Sequence, residues 1–235
     1  SVVAADIDGD WVLYSVNQIA AGLYHTCVVL DDDTVKCWGY NDNGQLGYGD
    51  TNNRGVGPNE VGNYLPTVDL GTGKKAKQIS AGFRHTCAVL NDDSVKCWGS
   101  GGYGQLGYGN NNNRGDGPNE MGDNLPTVDL GSGKKAKQIA AGDYYTCAVL
   151  NDDTVKCWGY GTDGRLGYGD TRYRGDHANE MGDNLPTVDF GVNQCHPGKY
   201  SPNLQTPCQH CTAGSVTNTL SSSGGSTCTP CVAGT

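Results

Sequence analysis

The chain has 235 residues, and its 25 Asp and Glu outnumber its 16 Lys and Arg, which gives a net charge of −9 at pH 7. This acidic balance argues against nucleic acid and against an anionic membrane surface as the main partner. Eleven cysteines are many for a reducing compartment, so they favour an extracellular location, either secreted or at the cell surface. The sequence shows no apolar run of transmembrane length and no signal peptide, so we expect no membrane insertion and a mature or excised chain.

Residues 1–20 are predicted to contain the end of a preceding repeat and the first strand of a sheet. Residues 3–9 (VAADIDG) resemble a segment, LPTVDLG, that recurs later in the chain. Residues 11–20 (WVLYSVNQIA) are rich in strand-forming residues and predict a β-strand. Residues 6–10 (DIDGD) contain part of a calcium-loop pattern, but the full spacing and its distant Glu are absent, which favours a strand end.

Residues 21–190 consist of three copies of a repeat of 60 residues. Residues 21–80 and 81–140 are identical at 43 of 60 positions without a gap. Each copy contains the same phrase, which is TCAVLNDDSVKCWG in the second copy. Units of this length need neighbours in order to bury their faces. The sequence therefore predicts a repeat architecture with contacts between successive copies.

The phrase TCAVLNDDSVKCWG predicts a β-hairpin, because two strand-like runs flank a short polar turn. If residues 91–93 form a three-residue loop, Leu90 pairs with Ser94, and the last loop residue, an Asp, is expected in the left-handed backbone region. In that register Cys87 lies opposite Cys97 with Cα atoms about 4.5 Å apart, a separation that suits a disulfide. Free buried thiols and an intracellular metal site are the alternatives. The predicted pairs are Cys27–Cys37, Cys87–Cys97 and Cys147–Cys157.

The pattern AGxxHTCAVLxDDxVKCWGxxxxGQLGYG resembles the regulator-of-chromosome-condensation repeat over about residues 17–190. The motifs AG, HTC, VKCWG, GQLGYG and LPTVDLG recur in that order. The resemblance implies an all-β fold of four-stranded antiparallel propeller blades, with strands at KAKQIAAG, HTCAVL and VKCWG and an outer strand near LPTVDL. Propellers typically close with four to eight blades. Three blades therefore predict an open arc, a part of a larger propeller, or an array completed by other copies.

Residues 191–235 are predicted to form a small disulfide-rich stalk module that is incomplete at its C-terminus. This segment contains five cysteines and no acidic residue, and its units CHPGKYSP, CTAGSVTN and CVAGT resemble ephrin-receptor-like cysteine-rich modules. The resemblance favours the pairs Cys195–Cys208 and Cys211–Cys228, which leaves Cys231 unpaired or available for an intermolecular bond. The alternative is a zinc site, because C-x2-C-x16-C-x2-C is a zinc-ligand spacing in cytosolic proteins.

The same tail is rich in Ser and Thr with prolines nearby, a composition that is typical of O-glycosylated stalks. A bare flexible loop is the alternative. The chain has no N-x-[ST] sequon, so N-linked glycans are not expected. The candidate O-glycosylation sites are Thr212, Ser215, Thr217, Thr219, Ser221, Ser222, Ser223, Ser226, Thr227 and Thr229.

Other recurring residues carry weaker predictions. His25 and His85 occupy matching positions, but Tyr145 replaces them in the third copy, which favours packing or hydrogen bonding over a catalytic or metal-binding role. The tripeptide Arg-Gly-Asp occurs at residues 114–116 and 174–176, where a role in integrin-type adhesion is the minority interpretation. The Trp of each VKCWG motif is expected to pack between blades rather than to stack on a ligand.

The sequence contains no nucleophile–base set, no phosphate loop and no distinctive carboxylate pair, so we expect no enzyme activity, no cofactor and no bound metal. The predicted function is that of an extracellular structural protein, a self-assembling subunit of a fibre or surface appendage, by analogy with mastigonemes. Its expected partners are other copies of itself in head-to-tail contact, with glycans as a further possibility. The alternative is a secreted or cell-surface binding ectodomain that uses a propeller face. Guanine-nucleotide exchange, which the resemblance also implies, ranks third.

Overall fold

The structure is a computed structural model of the whole chain. It describes residues 15–190 in full and, outside that range, the backbone of six short strands. The chain forms two compact units, residues 1–188 and residues 189–235, and each is described by itself. Within the described part of the chain, no helix has the length and apolar character needed to cross a membrane.

Three antiparallel sheets of three strands each form the body of the first unit, and we refer to them as sheets 1, 2 and 3. Sheet 1 contains β3 (Val16–Ala21), β4 (His25–Leu30) and β5 (Val35–Gly39). Sheet 2 contains β6 (Ala76–Ala81), β7 (His85–Leu90) and β8 (Val95–Gly99). Sheet 3 contains β9 (Ala136–Ala141), β10 (Tyr145–Leu150) and β11 (Val155–Gly159). The predicted all-β class and the three propeller-type antiparallel blades are confirmed.

The hairpin register predicted from the repeated phrase is confirmed in each sheet. In sheet 2, Cys87 lies opposite Cys97 and Val89 lies opposite Val95. Asp93, the last loop residue, has a φ of 64°, in the left-handed region. The paired sulfur atoms lie at disulfide distance, with Cα atoms 4.0–4.1 Å apart, slightly closer than expected. These pairs are Cys27–Cys37, Cys87–Cys97 and Cys147–Cys157.

The outer strand that the family resemblance implied near LPTVDL does not form in the described residues. Instead, the backbone N–H of Val68 donates one hydrogen bond, 2.8 Å long, to the carbonyl of Val35 in β5. Equivalent single bonds join Val128 to Val95 and Val188 to Val155. Each segment contains a proline, which has no N–H and cannot take part in a regular ladder. A short 3-10 turn precedes each segment, at Gly62–Tyr64, Gly122–Asn124 and Gly182–Asn184.

The single strand predicted over residues 11–20 is two strands in the structure. The strand β2 (Trp11–Tyr14) pairs with β1 (Val2–Ala5), whereas β3 pairs with β4 in sheet 1. The break falls at Ser15, whose backbone N–H and hydroxyl both donate to the carboxylate of Asp31. These two hydrogen bonds hold Ser15 to the hairpin loop of sheet 1 instead of to a strand partner.

The hydrophobic core lies between successive sheets. One cluster joins the disulfide and valines of sheet 1 to the isoleucine, alanines, leucine and tryptophan of sheet 2, and the second cluster joins sheets 2 and 3 at positions 60 residues later.

A buried lysine supports each of the two junctions between successive sheets. The ammonium of Lys96 donates to the carbonyls of Leu70 and Gly122, at 2.9 and 2.7 Å, and so ties together loops from two repeats. Lys156 makes the equivalent pair of bonds.

The second unit contains two short antiparallel strand pairs. One pair is β12 (Lys199–Tyr200) with β13 (Gln209–His210), and the other is β14 (Ser215–Thr217) with β15 (Cys228–Pro230). The predicted tail disulfides, the zinc alternative, the unpaired Cys231 and the O-glycosylation sites depend on side chains of residues 191–235, where the structure describes only the backbone of these strands. They remain predictions from sequence.

Candidate functional site

The loops between the first and second strands of the sheets lie side by side. Each begins with a glycine, and in sheet 1 the N–H of Gly22 donates to the carbonyl of His25 at 2.8 Å. A Cβ on Gly22 would lie 2.3 Å from the carbonyl oxygen of Gly82 in the next loop, so only glycine allows this close approach. The segments that follow the third strands are bonded to the same loops, for example by Tyr40 N–H to Tyr24 C=O at 2.9 Å. Side chains from several turns therefore meet on one surface.

Seven aromatic rings form a connected network on this surface. The ring centroids lie 5.8 Å apart for Tyr24 and Tyr40, 5.3 Å for Tyr24 and Phe83, and 4.9 Å for Phe83 and Tyr144. From Tyr144 the network continues through three further tyrosines at 4.8–6.1 Å. The rings are Tyr24, Tyr40, Phe83, Tyr103, Tyr144, Tyr160 and Tyr173. We call these rings, with Arg84 and Arg165, the aromatic surface.

Two arginines lie among the rings. The guanidinium carbon of Arg84 is 5.2–5.9 Å from the centroids of Phe83, Tyr40 and Tyr24. That of Arg165 is 5.0 Å from the ring of Tyr160. Cation–π contacts at such distances contribute roughly 0.5–1 kcal/mol each at exposed sites. These contacts place both guanidinium groups against the rings.

The aromatic surface is accessible. Tyr24 is 50 % exposed and Tyr103 is 38 % exposed, while the other five rings are half-buried. The carboxylate of Asp42 accepts a hydrogen bond from the hydroxyl of Tyr40 and raises the pKa of that tyrosine. Partial loss of solvent and the neighbouring Tyr160 raise the pKa of Tyr173. Tyr40 and Tyr173 therefore keep neutral hydroxyl groups, and a tyrosine hydroxyl can donate or accept hydrogen bonds.

The two buried histidines join the sheets and take no part in an accessible site. The Nε2 atom of His25 lies 2.8 Å from the hydroxyl of Thr86 in the next sheet, and His85 makes the same contact with Thr146 at 3.0 Å. Burial lowers the pKa of His25 to about 4 and that of His85 to about 3. Both rings are therefore neutral near pH 7, in agreement with the predicted packing and hydrogen-bonding role.

Two of the three tryptophans pack between the sheets, as predicted. Trp98 and Trp158 are fully buried, and their indole N–H groups donate to the carbonyls of Gln45 and Gln105 at 3.0 Å. Neither can stack on a ligand. Trp38, in the first sheet, is half-buried.

The Arg-Gly-Asp tripeptides are not presented for adhesion. Gly115 is buried, and a Cβ there would lie 3.0 Å from the carbonyl of Gly44. The guanidinium of Arg114 lies 5.7 Å from the ring of Tyr108, and the backbone N–H of Asp116 donates to Glu120. The second tripeptide has the same geometry, with Gly175 beside the carbonyl of Gly104. The tripeptide is a structural element of the loop.

One group of potential metal ligands occurs among the described residues. Carboxylate and imidazole atoms of Asp176, His177 and Glu180 lie within 4.8 Å of one another. However, Glu180 accepts a hydrogen bond from the backbone N–H of His177, just as Glu60 and Glu120 accept from the same loop in the other repeats. The recurring glutamate stabilises the loop and defines no metal site.

The aromatic surface was not predicted from the sequence. Its central rings fall at the two variable positions of AGxxH, which contain Leu23-Tyr24, Phe83-Arg84 and Asp143-Tyr144. The signal was present, since each copy has one aromatic residue there, but its position within the pair shifts from copy to copy. The contacts between rings of different repeats appear only in three dimensions.

Repeated three-stranded sheets with a buried Trp and an inter-sheet core define a β-propeller-type repeat protein. The model of the regulator of chromosome condensation (RCC1) repeat matches residues 16–45, 76–105 and 136–165, and a second model of the same repeat matches residues 32–89 and 92–149. The chain belongs to the RCC1 repeat family.

The chain is similar to parts of longer proteins with different names. It is 33% identical to the Ultraviolet-B receptor UVR8 of Arabidopsis thaliana over 156 residues, which are 66% of this chain and 32% of that protein. It is also 33% identical to the probable E3 ubiquitin-protein ligase HERC4 of Rattus norvegicus over 158 residues, which are 67% of this chain and 13% of that protein. The chain therefore spans a third or less of the length of these relatives.

Solved structures agree on the fold. Human WBSCR16 superposes with a TM-score of 0.55 at 22% identity over 75% of this chain and 39% of that chain. Prp20p of Saccharomyces cerevisiae superposes with a TM-score of 0.53 at 18% identity over 77% of this chain and 40% of that chain. At such identities the similarity establishes the propeller-blade fold and nothing about partners.

Proposed function

We propose that the chain is a non-enzymatic binding module whose aromatic surface recognises a partner protein. The observation that carries this proposal is the continuous network of seven rings, which crosses both boundaries between sheets. Tyrosine and arginine are enriched where binding energy is concentrated in protein interfaces, since each combines apolar area with a polar group. The relatives share the repeat but have different names, so membership of the family does not identify a partner. The residues of the aromatic surface are therefore the guide to the partner.

The rigidity of the surface supports a binding role. Its rings come from turns fixed by backbone hydrogen bonds, and the turns belong to sheets that pack on fully buried cores. A surface that is already ordered loses less side-chain entropy on binding than a flexible one. A repeated array also presents several contact points at once, which suits an extended partner.

We propose an extracellular or cell-surface location for this module. The cysteine pairs at disulfide distance in all three sheets support an oxidising compartment. The acidic net charge of −9 supports a protein partner over nucleic acid. Guanine-nucleotide exchange is the third candidate, and no feature of the described residues favours it.

The test is a binding screen against an array of secreted and cell-surface ectodomains, followed by affinity measurement with substituted chains. A double variant, Tyr24→Ser with Tyr103→Ser, removes the two most exposed rings of the aromatic surface. We expect it to bind the captured partner at least about tenfold more weakly, a change of about 1.4 kcal/mol. Tyr64→Ser is the matched control, because Tyr64 is 69% exposed and lies outside the network. Equal affinities of wild type and double variant would refute the proposal.

A second candidate is a self-assembling structural subunit of an extracellular fibre. The observation that favours it is the exposure of apolar residues on the first and third sheets at positions that are buried in the interior of the array. Ile19 is 64% exposed, whereas the equivalent Ile79 and Ile139 are 1% and 2% exposed. Leaving such residues in water costs about 25 cal/mol per Å2, so a surface that covers them, either further repeats or a second copy, is favoured.

A further inference from the structure

Two equivalent grooves lie where loops of successive repeats meet. The first groove, between the first and second repeats, has a volume of about 620 Å³, and the second groove, between the second and third repeats, has a volume of about 510 Å³. Both volumes lie in the range of roughly 300–1,000 Å³ that is typical of small-molecule sites. Most of the lining residues recur 60 positions apart, and none of them belongs to the aromatic surface. The two grooves therefore serve as controls for each other.

Each groove contains an arginine that lies on a fixed tyrosine ring. In the second groove, the hydroxyl of Tyr108 accepts from the N–H of Cys97 and donates to its carbonyl, both at 2.9 Å. The backbone of Arg114 pairs with that of Gly99 through two hydrogen bonds, and its guanidinium carbon lies 5.7 Å from the centroid of the tyrosine ring. Arg54 lies on its tyrosine in the same way, at 5.2 Å. The backbone of each arginine thus stabilises its loop, while the side chain lines the groove.

The two arginines differ in their charged partner. A guanidinium nitrogen of Arg54 donates to the carboxylate of Asp50 at 2.7 Å, and the third repeat contains the same ion pair. The second repeat has Asn110 in place of this aspartate. An amide carries no charge, and its nitrogen is a donor, as the guanidinium nitrogens are. Within residues 15–190, Arg114 therefore forms no ion pair, and its guanidinium donates to the carbonyl of Asn113 at 2.9 Å.

The exchange of aspartate for asparagine removes the ion pair without changing the turn. The Oδ1 atom of Asn110 accepts from the backbone N–H of Asn112 at 3.0 Å, and Asp50 makes the same contact in the first repeat at 2.8 Å. The amide nitrogen of Asn110 donates instead to the carbonyl of Tyr108 at 3.1 Å. The second groove therefore keeps the architecture of the first and gains a cationic group that no carboxylate of its own loop neutralises.

The other polar groups of the second groove limit the kind of anion that fits. Thr127, Asp129 and Asn184 are exposed and line the groove with hydroxyl, carboxylate and amide groups. A guanidinium binds a carboxylate through two parallel hydrogen bonds, whereas the carboxylate of Asp129 disfavours an anion with two charges. Carboxylate, amide and hydroxyl side chains are also suited to hydroxyl groups, which both donate and accept. This combination fits a ligand that bears one carboxylate among several hydroxyl groups.

We propose that the second groove binds a hexuronic acid, either as a free sugar acid or as a unit of a polysaccharide, with its carboxylate paired to Arg114. The hydroxyl groups of the sugar ring then lie against Thr127, Asp129 and Asn184. The site is built from residues of two internal repeats and shares none with the aromatic surface. The two proposals therefore fail separately, because a chain that captures no partner protein can still bind a uronic acid, and the reverse.

The test is a titration of the 235-residue chain with galacturonate, followed by ligand-observed NMR and by calorimetry. Galacturonate should bind at one site per chain. Galactose, which lacks the carboxylate, should bind at least about tenfold more weakly, a change of about 1.4 kcal/mol. Absence of galacturonate binding would overturn the proposal, and so would galactose or inorganic phosphate that binds as tightly as galacturonate.

A galacturonate oligomer identifies the source of the sugar acid. Tighter binding of the oligomer than of the monomer would support a polysaccharide, because neighbouring units add contacts along the open groove. Equal affinities would support a free sugar acid.

The repeats provide matched variants. Asn110→Asp installs the ion pair of the other two repeats, so it should leave the Tm unchanged and weaken galacturonate binding at least about tenfold. Asp50→Asn makes the reciprocal change in the first groove and should raise the stoichiometry from one site to two sites per chain. Arg114→Gln should abolish binding to the second groove, whereas Arg54→Gln, the control, should leave that binding unchanged.

Three results with these variants would overturn the proposal, provided that thermal unfolding shows each variant to be folded. The first is unchanged affinity in the Asn110→Asp variant. The second is a single site in the Asp50→Asn variant. The third is equal weakening by the Arg54→Gln and Arg114→Gln substitutions, which would show that the charge without an ion-pair partner does not define the site.

Discussion

Acidification should destabilise the repeat array well above the pH at which its carboxylates titrate. His25 and His85 are buried between sheets, and burial lowers their pKa values from 6.5 to about 4 and about 3. A histidine with a lowered pKa in the folded state binds fewer protons there than in the unfolded chain. The array therefore has its full stability above pH 6.5 and loses stability as the pH falls from there toward the folded pKa.

The magnitude follows from these pKa values. Between pH 7 and pH 5, each histidine costs about 2 kcal/mol, so the two together lower the free energy of unfolding by roughly 4 kcal/mol. The carboxylates whose pKa values are lowered lose their contribution at a lower pH than this window. The pKa of Asp123, for example, is lowered by its hydrogen bonds from Thr72, so it adds stability that is lost only below about pH 4.

Urea unfolding at constant ionic strength, followed by the fluorescence of the buried tryptophans, measures the effect. His25→Asn should remove about half of the pH dependence between pH 7 and pH 5, and the double variant with His85→Asn should remove most of it. His177→Asn, a substitution of an exposed histidine away from the junctions between sheets, is the control. A free energy of unfolding that is equal at pH 7 and pH 5 would show that the reasoning about these two histidines is wrong.

Three further predictions concern the cysteines, a tryptophan and the tail. Peptide mapping without reduction should recover the disulfides Cys27–Cys37, Cys87–Cys97 and Cys147–Cys157. Loss of one of these bonds should lower the free energy of unfolding by about 2–3 kcal/mol in the chain-entropy model. Free thiols in all three sheets would contradict the secreted location. Trp98→Phe should lower the free energy of unfolding by roughly 1–3 kcal/mol, because it removes buried volume and the hydrogen bond to Gln45. Trp38→Phe should cost less, since Trp38 is half-buried. Equal losses in the two variants would contradict the assigned packing. Elemental analysis should find well under one zinc per chain, and an intact mass above 24.7 kDa would support O-linked sugar on the tail; stoichiometric zinc would favour the thiolate site at Cys208, Cys211, Cys228 and Cys231.

Local patterns in the sequence were sufficient for the hairpins. The three-residue loop with Asp93 at its last position sets the register, and the register brings Cys87 opposite Cys97. A hairpin depends on residues close in sequence, so its geometry follows from strand and turn preferences. The fourth strand that the resemblance implied near LPTVDL does not form. The reason is equally local, because each copy of that segment contains a proline.

Contacts between repeats could not be predicted in the same way. A lysine is typical of an exposed position, yet Lys96 is buried. Its ammonium donates to two loop carbonyls, one 26 residues before it in the sequence and one 26 residues after it. The rings of Tyr24, Phe83 and Tyr144 come together because neighbouring turns are stacked, and no spacing within one copy indicates this. Such contacts depend on how one sheet is placed on the next.

A nearly exact repeat makes residue identity a poor guide to function, and position in the array decides instead. Gln18, Gln78 and Gln138 occupy equivalent positions, each before an isoleucine, but among the described sheets only the first two have a following sheet to bind. Ile19, Ile79 and Ile139 differ in the same way, since only the last two are covered. In an array where each unit contacts only its neighbours, the same residue therefore makes different contacts according to the sheets that flank it.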